Sequence, residues 1–341
     1  MKISVNPADV QGCGFYRMIA PATVLKKMGA NLELNYQSNN ILAHRKDGKI
    51  TGLQYEPFDL LVFQRPMADD AVEVMRRLKQ DGVKIIIDVD DDFWSVDVKN
   101  PFYLDMMKTV GPAYIDNFNA CLKMADLVTV STPALAKLIP NKNVEVLRNC
   151  IPAPYLDVEA EGNREMFEGR TVVGWSGNTA THIGDVERMG YSLRTAVRRH
   201  NAKFFVVGSE DASSIAGFDD DEAFYAPWVD LALYPKAVKN FDVGVVPLAI
   251  TRFNHCKSYL KGLEYASLGI PFVASPTDEY KYLNSHGVGL IAKEKHDWIR
   301  QLNRLLTEDN SELIEAGLEY ARENTYEKNA WRWAEVWNSV L

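Results

Sequence analysis

Short apolar runs alternate with longer stretches of helical period along most of the chain. Runs at 2–5, 32–36, 60–63, 83–89, 127–131 and 144–147, and again at 171–174, 203–207, 242–246, 270–274 and 288–291, have the length and content of buried strands. Between them, apolar residues recur every three or four positions and predict helices, among them 68–80, 133–138, 231–238, 295–306 and 311–322. Strands separated by helices predict an α/β fold of parallel, doubly wound sheets. A chain of 341 residues exceeds one ordinary core and suits two domains. The polar, acidic and poorly patterned stretch 157–170 is read as a linker. That places one domain at 1–156, a second at 171–324 and a terminal helix at 325–341. The terminal helix carries Trp331, Trp333 and Trp337, read as packing residues because each buries roughly 150–250 Å².

Composition narrows the class. Hydrophobic content of 47% with 25% charged residues is that of a soluble globular protein. The formal charge of −8 excludes a global nucleic-acid footprint and leaves room for a local basic patch. Cys13, Cys121, Cys150 and Cys256 are far apart and form no C-x-x-C pair, so they read as reduced thiols of a cytoplasmic protein. MKISVNPADV lacks the pattern of a signal peptide, and no run reaches the length of a membrane span.

The chemistry concentrates in residues 241–275, FDVGVVPLAITRFNHCKSYLKGLEYASLGIPFVAS, which read as strand, loop, helix, strand. Ser258 is placed to cap a helix running to about 268, with Gly269 past its end and Pro271 beyond. On such a helix Lys257, Lys261 and Glu264 stand at i, i+4 and i+7 and share a face. Cations in a first helical turn oppose the macrodipole unless an anion, such as a diphosphate, sits there. The same spacing also fits a solvated charged face in which Lys261 pairs with Glu264.

Three further stretches carry candidates. Gly12, Gly14 and Arg17 lie between the first strand and first helix, where glycines allow close backbone approach to a ligand or simply make a loop. The run from Asp88 to Asp92 ends a strand, where open α/β sheets bind ligands. Asp90 and Asp91 there fit a polar acceptor-binding or cleft-shaping loop; a metal site and a plain turn are the other two readings. After 171–174 comes W-S-G-N-T-A-T-H, in which the amides around Gly177 and Asn178 can cradle phosphate and His182 is either a cap or a catalytic group.

Taken together, Phe253-Asn254, Lys257-Ser258, Lys261, Glu264-Tyr265 and Gly269-x-Pro271 resemble the donor-sugar motif of GT-B glycosyltransferases, in the large retaining family with an E-x7-E signature. In that family the second Glu binds the nucleotide ribose, which maps onto Glu264. The first falls eight residues earlier, at Cys256, where a thiol replaces the carboxylate. A subset carries F-N-x-x-K-S-x-x-K-x-x-E, which Phe253 to Glu264 match residue for residue. The G-W-x-G-x-x-x-x-H-x-x-D loop, with His182 and Asp185, and the run from Gly12 to Pro21 resemble the same sequences.

The resemblance implies two Rossmann-like domains facing a central cleft, with the terminal helix crossing back onto the N-terminal one. It implies a nucleotide-diphosphate sugar as co-substrate on the C-terminal domain, contacted by Glu264, Ser258, Gly177, Asn178, Asn254 and Trp228. Lys257, Lys261 and His182 would be the catalytic groups, with retention at the anomeric carbon, no metal and no cofactor. The acceptor would meet Gly12, Gly14, Arg17, Asp90 and Asp91. Its identity is left open among a glycan, a protein, a small molecule and a modified nucleic-acid base, and the oligomeric state is not fixed by sequence.

Other classes stay in view. A dinucleotide-dependent oxidoreductase needs G-x-G-x-x-G after a strand, which neither half supplies. A catalytically idle sugar-nucleotide binding protein is kept in play by Cys256. A metal-dependent transferase would use the run from Asp88 to Asp92.

Overall fold

The computed structural model describes residues 2–36, 40–159, 164–219 and 222–341. The chain divides into two compact units. The first comprises Met1–Cys150, Cys256–Ser258 and Tyr326–Leu341; the second comprises Ile151–His255 and Tyr259–Thr325. The stretch read as a linker falls in part on residues 160–163, which lie outside the described residues.

The first unit is built on strands β1 (Ile3–Asn6), β2 (Leu32–Leu34), β3 (Ile41–Lys46), β4 (Lys49–Tyr55), β5 (Leu60–Gln64), β6 (Lys84–Val89), β7 (Leu127–Val130) and β8 (Val144–Val146). Six of them form a parallel sheet in the order β2-β1-β5-β6-β7-β8. Its four inner strands are almost entirely buried, as a sheet covered on both faces requires. β3 and β4 form a separate antiparallel hairpin that the apolar runs did not predict, because its strands are half exposed. The local signal was Asp47-Gly48, both at positive φ (51° and 75°), the pair a tight hairpin turn needs. The terminal helix Tyr326–Asn338 belongs to this unit and packs on the helix Ala20–Lys27. Tyr326, Ala330, Trp333 and Trp337 share its buried face, whereas Trp331 points elsewhere and is 55% exposed. So two of the three tryptophans are buried as expected and the third is not.

The second unit contains β9 (Val172–Gly177), β10 (Lys203–Gly208), β11 (Ala223–Pro227), β12 (Val243–Val246), β13 (Phe272–Ala274) and β14 (Leu290–Ile291). All pair in parallel, in the order β11-β10-β9-β12-β13-β14. The chain works outward from β9 to β11, then returns to the other side of β9 to lay down β12. The reversal makes the β9/β12 junction a topological switch point, the place where open α/β sheets hold ligands beyond the carboxyl ends of the strands. The first unit has the corresponding reversal between β1 and β5.

Candidate functional site

At the second unit's switch point the two strands separate. β12 pairs with β9 only through Val243–Val173 and Gly244–Gly174, although β9 continues to Gly177 and β12 to Val246. Backbone groups left by a departing strand must find partners when buried. Ser176 finds them on the helix Leu260–Ser267. Its N–H donates to the Tyr265 hydroxyl (3.2 Å), and its carbonyl accepts from the Lys261 ammonium (2.5 Å). Lys261 stands in that helix's first turn. The crevice is thus lined by Lys261 and Tyr265, one turn apart on that helix.

The side chain of Ser176 extends the arrangement. Its hydroxyl lies 2.9 Å from the Tyr234 hydroxyl and 3.1 Å from that of Tyr265, and Lys261 Nζ is 3.3 Å away. Tyr234 donates to a carboxylate oxygen of Glu264 at 3.0 Å. Burial first, and then the nearby Glu264, push the Tyr234 phenol far above its usual range, so it stays protonated. Burial likewise raises Tyr265. The protons then have one consistent order. Tyr234 spends its proton on Glu264, so Ser176 donates to Tyr234. Ser176 has no second proton, so Tyr265 donates to Ser176. The chain runs from Tyr265 through Ser176 and Tyr234 to Glu264, each bond polarised toward the carboxylate. Trp228 lies beside Tyr234, ring centroids 6.1 Å apart, and is 50% exposed.

A second clasp holds the loops that leave the crevice. Asp185 is fully buried. One oxygen takes the Nδ1 proton of His182 (2.8 Å); the other accepts from Ala249 N–H and the Asn254 amide, both at 2.7 Å. The loop after β9 and the loop after β12 are therefore tied through one carboxylate. In the neutral ring this fixes the His182 tautomer with Nε2 as the acceptor. Asn254 also donates to Ala249 O, so it shapes its loop. Gly177 and Gly208 end β9 and β10. Gly208 has φ +128°, and a Cβ there would lie 2.1 Å from Gly177 O, so only glycine fits. Asn178 accepts from Ala180 N–H and the Ser209 hydroxyl. It lines an open cavity of about 760 Å³ with Ser209, Asp211 and Tyr225.

In the first unit, Arg17 and the aspartates form internal pairs. Arg17 is 1% exposed. Its guanidinium meets both oxygens of Asp88 (3.1 and 2.7 Å), Asn149 (2.9 Å) and Leu147 O. Thr129, opposite Asp88 on the neighbouring strand, completes that carboxylate at 2.7 Å. Asp90 is held by Arg65, which lowers its pKa against the upward push of burial. Burial raises Asp91 despite Lys257 at 3.4 Å. Asp92 accepts from Trp94 N–H and Ser95. The four carboxylates face four separate sets of partners. Among the described residues no group of three or more acidic, Cys or His side chains is placed to hold a metal. Gly14 is required sterically, because a Cβ would lie 1.8 Å from Asp9 O, whereas Gly12 has open space around it.

Several expectations need correction. The helix starts at Leu260 with Tyr259 at its cap position, so Ser258 does not cap it and Lys257 does not share its face. Residues Cys256–Ser258 cluster with the first unit, where Ser258 Oγ accepts from Asn149 (2.9 Å) and Cys256 is part of the core. Lys261 and Glu264 do share the helix and come together with Ser176, Tyr234 and Tyr265 around one crevice. Sequence reasoning had Ser176 only as part of the amide loop and Tyr265 only as a motif neighbour of Glu264, and it missed Tyr234; their partners lie 30 to 89 positions away.

No protein-family profile and no curated protein matches the chain. Solved structures do. The E. coli trehalose-6-phosphate structure bound with UDP-2-fluoro glucose aligns with a TM-score of 0.66 at 12% identity over 100% of both chains. Anabaena HepE in complex with UDP and glucose gives 0.63 at 12% identity, over 99% of this chain and 100% of that one. A UDP-forming alpha,alpha-trehalose-phosphate synthase from Burkholderia xenovorans gives 0.58 at 14% identity, over 84% and 75%. At such identities the likeness is one of fold, and the fold of this chain, with its two Rossmann-like parallel sheets, is GT-B.

Proposed function

We propose that the chain is a glycosyltransferase that moves a sugar from a nucleotide-diphosphate sugar to an acceptor. The observation that carries this reading is the β9/β12 crevice, where Lys261, in the first turn of its helix, and the buried Glu264 converge on Ser176 and Tyr234. These are the groups a nucleoside diphosphate needs: a cation and amides for phosphate, a carboxylate for ribose hydroxyls. Support also comes from the GT-B neighbours whose structures hold UDP-2-fluoro glucose, or UDP and glucose.

In this reading the bond from the anomeric carbon to the diphosphate breaks and a bond to the acceptor's nucleophilic atom forms. The acceptor proton passes to the departing phosphate. Charge grows on the diphosphate as it leaves, so Lys261 and the amides of the helix Leu260–Ser267 stabilise the transition state more than the bound donor. His182, its ring held by Asp185, is the second polar group proposed to face the donor. Retention of configuration, a hexose as the sugar and independence of metal belong to the same proposal.

The test is release of nucleoside diphosphate from a panel of UDP-, GDP- and dTDP-sugars, with and without candidate acceptors. Turnover of one member that falls in Lys261→Ala supports the reading. Tight binding of a sugar nucleotide without turnover of any panel member would favour an idle binding protein, and absence of both would refute the donor assignment.

A further inference from the structure

Tyr234 lies outside every motif in the sequence, yet it occupies the middle of the buried chain of hydroxyls. Its ring sits beside half-exposed Trp228, and its hydroxyl joins Ser176 on β9 to Glu264 on the following helix. The proton order derived above has a consequence for Glu264. A carboxylate that already receives the Tyr234 proton, at the end of a chain in which each donor is committed, is held as an acceptor in one orientation. A fixed acceptor reads donors, and a sugar nucleotide offers two adjacent ones on its ribose.

We propose that Tyr234 is a positioning residue which, through Glu264, makes the nucleotide pocket select ribose over 2′-deoxyribose. The inference rests on the donor-domain reading and adds the class of nucleotide to it. Ser176 supplies the rigidity. Its backbone is pinned by Tyr265 and Lys261, and its hydroxyl feeds Tyr234, so Tyr234 cannot turn away from Glu264 without stranding a buried proton. Only the hydroxyl is at issue: a phenylalanine fills the same space, keeps the contact with Trp228 and removes the donor.

The experiment is calorimetric binding of paired ligands, UDP with dUDP and GDP with dGDP, to the whole chain and to Tyr234→Phe. A hydrogen bond to a charged group accounts for about tenfold to a hundredfold in affinity. The wild-type chain should therefore prefer the ribo form of whichever base it binds by roughly that factor. Tyr234→Phe should lose most of the preference while binding the deoxy form about as before. Glu264→Gln, which keeps the shape and an oxygen for Tyr234, provides the second variant and should also narrow the ratio. An unchanged ribo-to-deoxy ratio in folded Tyr234→Phe overturns the inference and leaves the donor reading standing. A wild-type chain that binds ribo and deoxy forms equally overturns it too. Failure of the wild-type chain to bind any nucleotide sinks the donor reading itself.

Discussion

Replacing Arg17 by methionine separates a structural role from a ligand-binding one. The resemblance makes Arg17 an acceptor contact, but it is 1% exposed and four of its N–H groups are committed to Asp88, Asn149 and Leu147 O. Removing one partner of a buried ion pair leaves the other charge uncompensated and costs about 3–5 kcal/mol. Thr129 remains on Asp88 but cannot neutralise it. For a unit of this size each kcal/mol is about 2–4 °C in melting temperature, so Arg17→Met should lower it by roughly 6–20 °C. Adding Asp88→Leu removes the stranded charge, and replacing both members of such a pair is often near neutral. The double variant should then recover much of the loss. Near-UV circular dichroism followed through thermal unfolding measures both. A single variant that melts like the wild type, with a raised KM for acceptor, would show that Arg17 meets the acceptor and is not a structural ion of the core.

Other perturbations address the crevice. Glu264→Ala should weaken nucleotide binding on the order of tenfold to a hundredfold without unfolding the protein, and unchanged affinity in a calorimeter would remove the ribose assignment. Lys261→Ala should cut turnover by about 10²–10³ while donor affinity falls far less, since the cation acts on charge that develops late; equal losses in both would mark it as a binding group only. EDTA should leave transfer intact. Activity lost with EDTA and restored by manganese would return the run from Asp88 to Asp92 to the chemistry.

The apolar runs made the two parallel sheets legible, because strands buried on both faces leave an uninterrupted hydrophobic signature. The hairpin Ile41–Lys46/Lys49–Tyr55 escaped that signature, since half its side chains are polar and only Asp47-Gly48 announced it. Lys261, Glu264 and His182 were visible as local motifs. The long-range pairings were not: Ser176 and Tyr265 are 89 residues apart, and Arg17 and Asp88 71 apart, so nothing in local spacing couples them. The start of the helix was misjudged because Ser258 has the chemistry of a cap, while the fold uses its hydroxyl to accept a bond from Asn149. A capping residue is a local preference, and a tertiary partner overrode it.

The central claim is that a nucleoside diphosphate binds at the carboxyl ends of β9 and β12. Hydrogen–deuterium exchange of the whole chain, with and without the nucleoside diphosphate released in the turnover assay, locates the ligand directly. A nucleoside diphosphate bound there should slow exchange in peptides covering 174–186, 223–235 and 259–268, with little change at 6–17 and 64–92. Protection confined to the latter two stretches would place the nucleotide at the β1/β5 switch point and contradict the account.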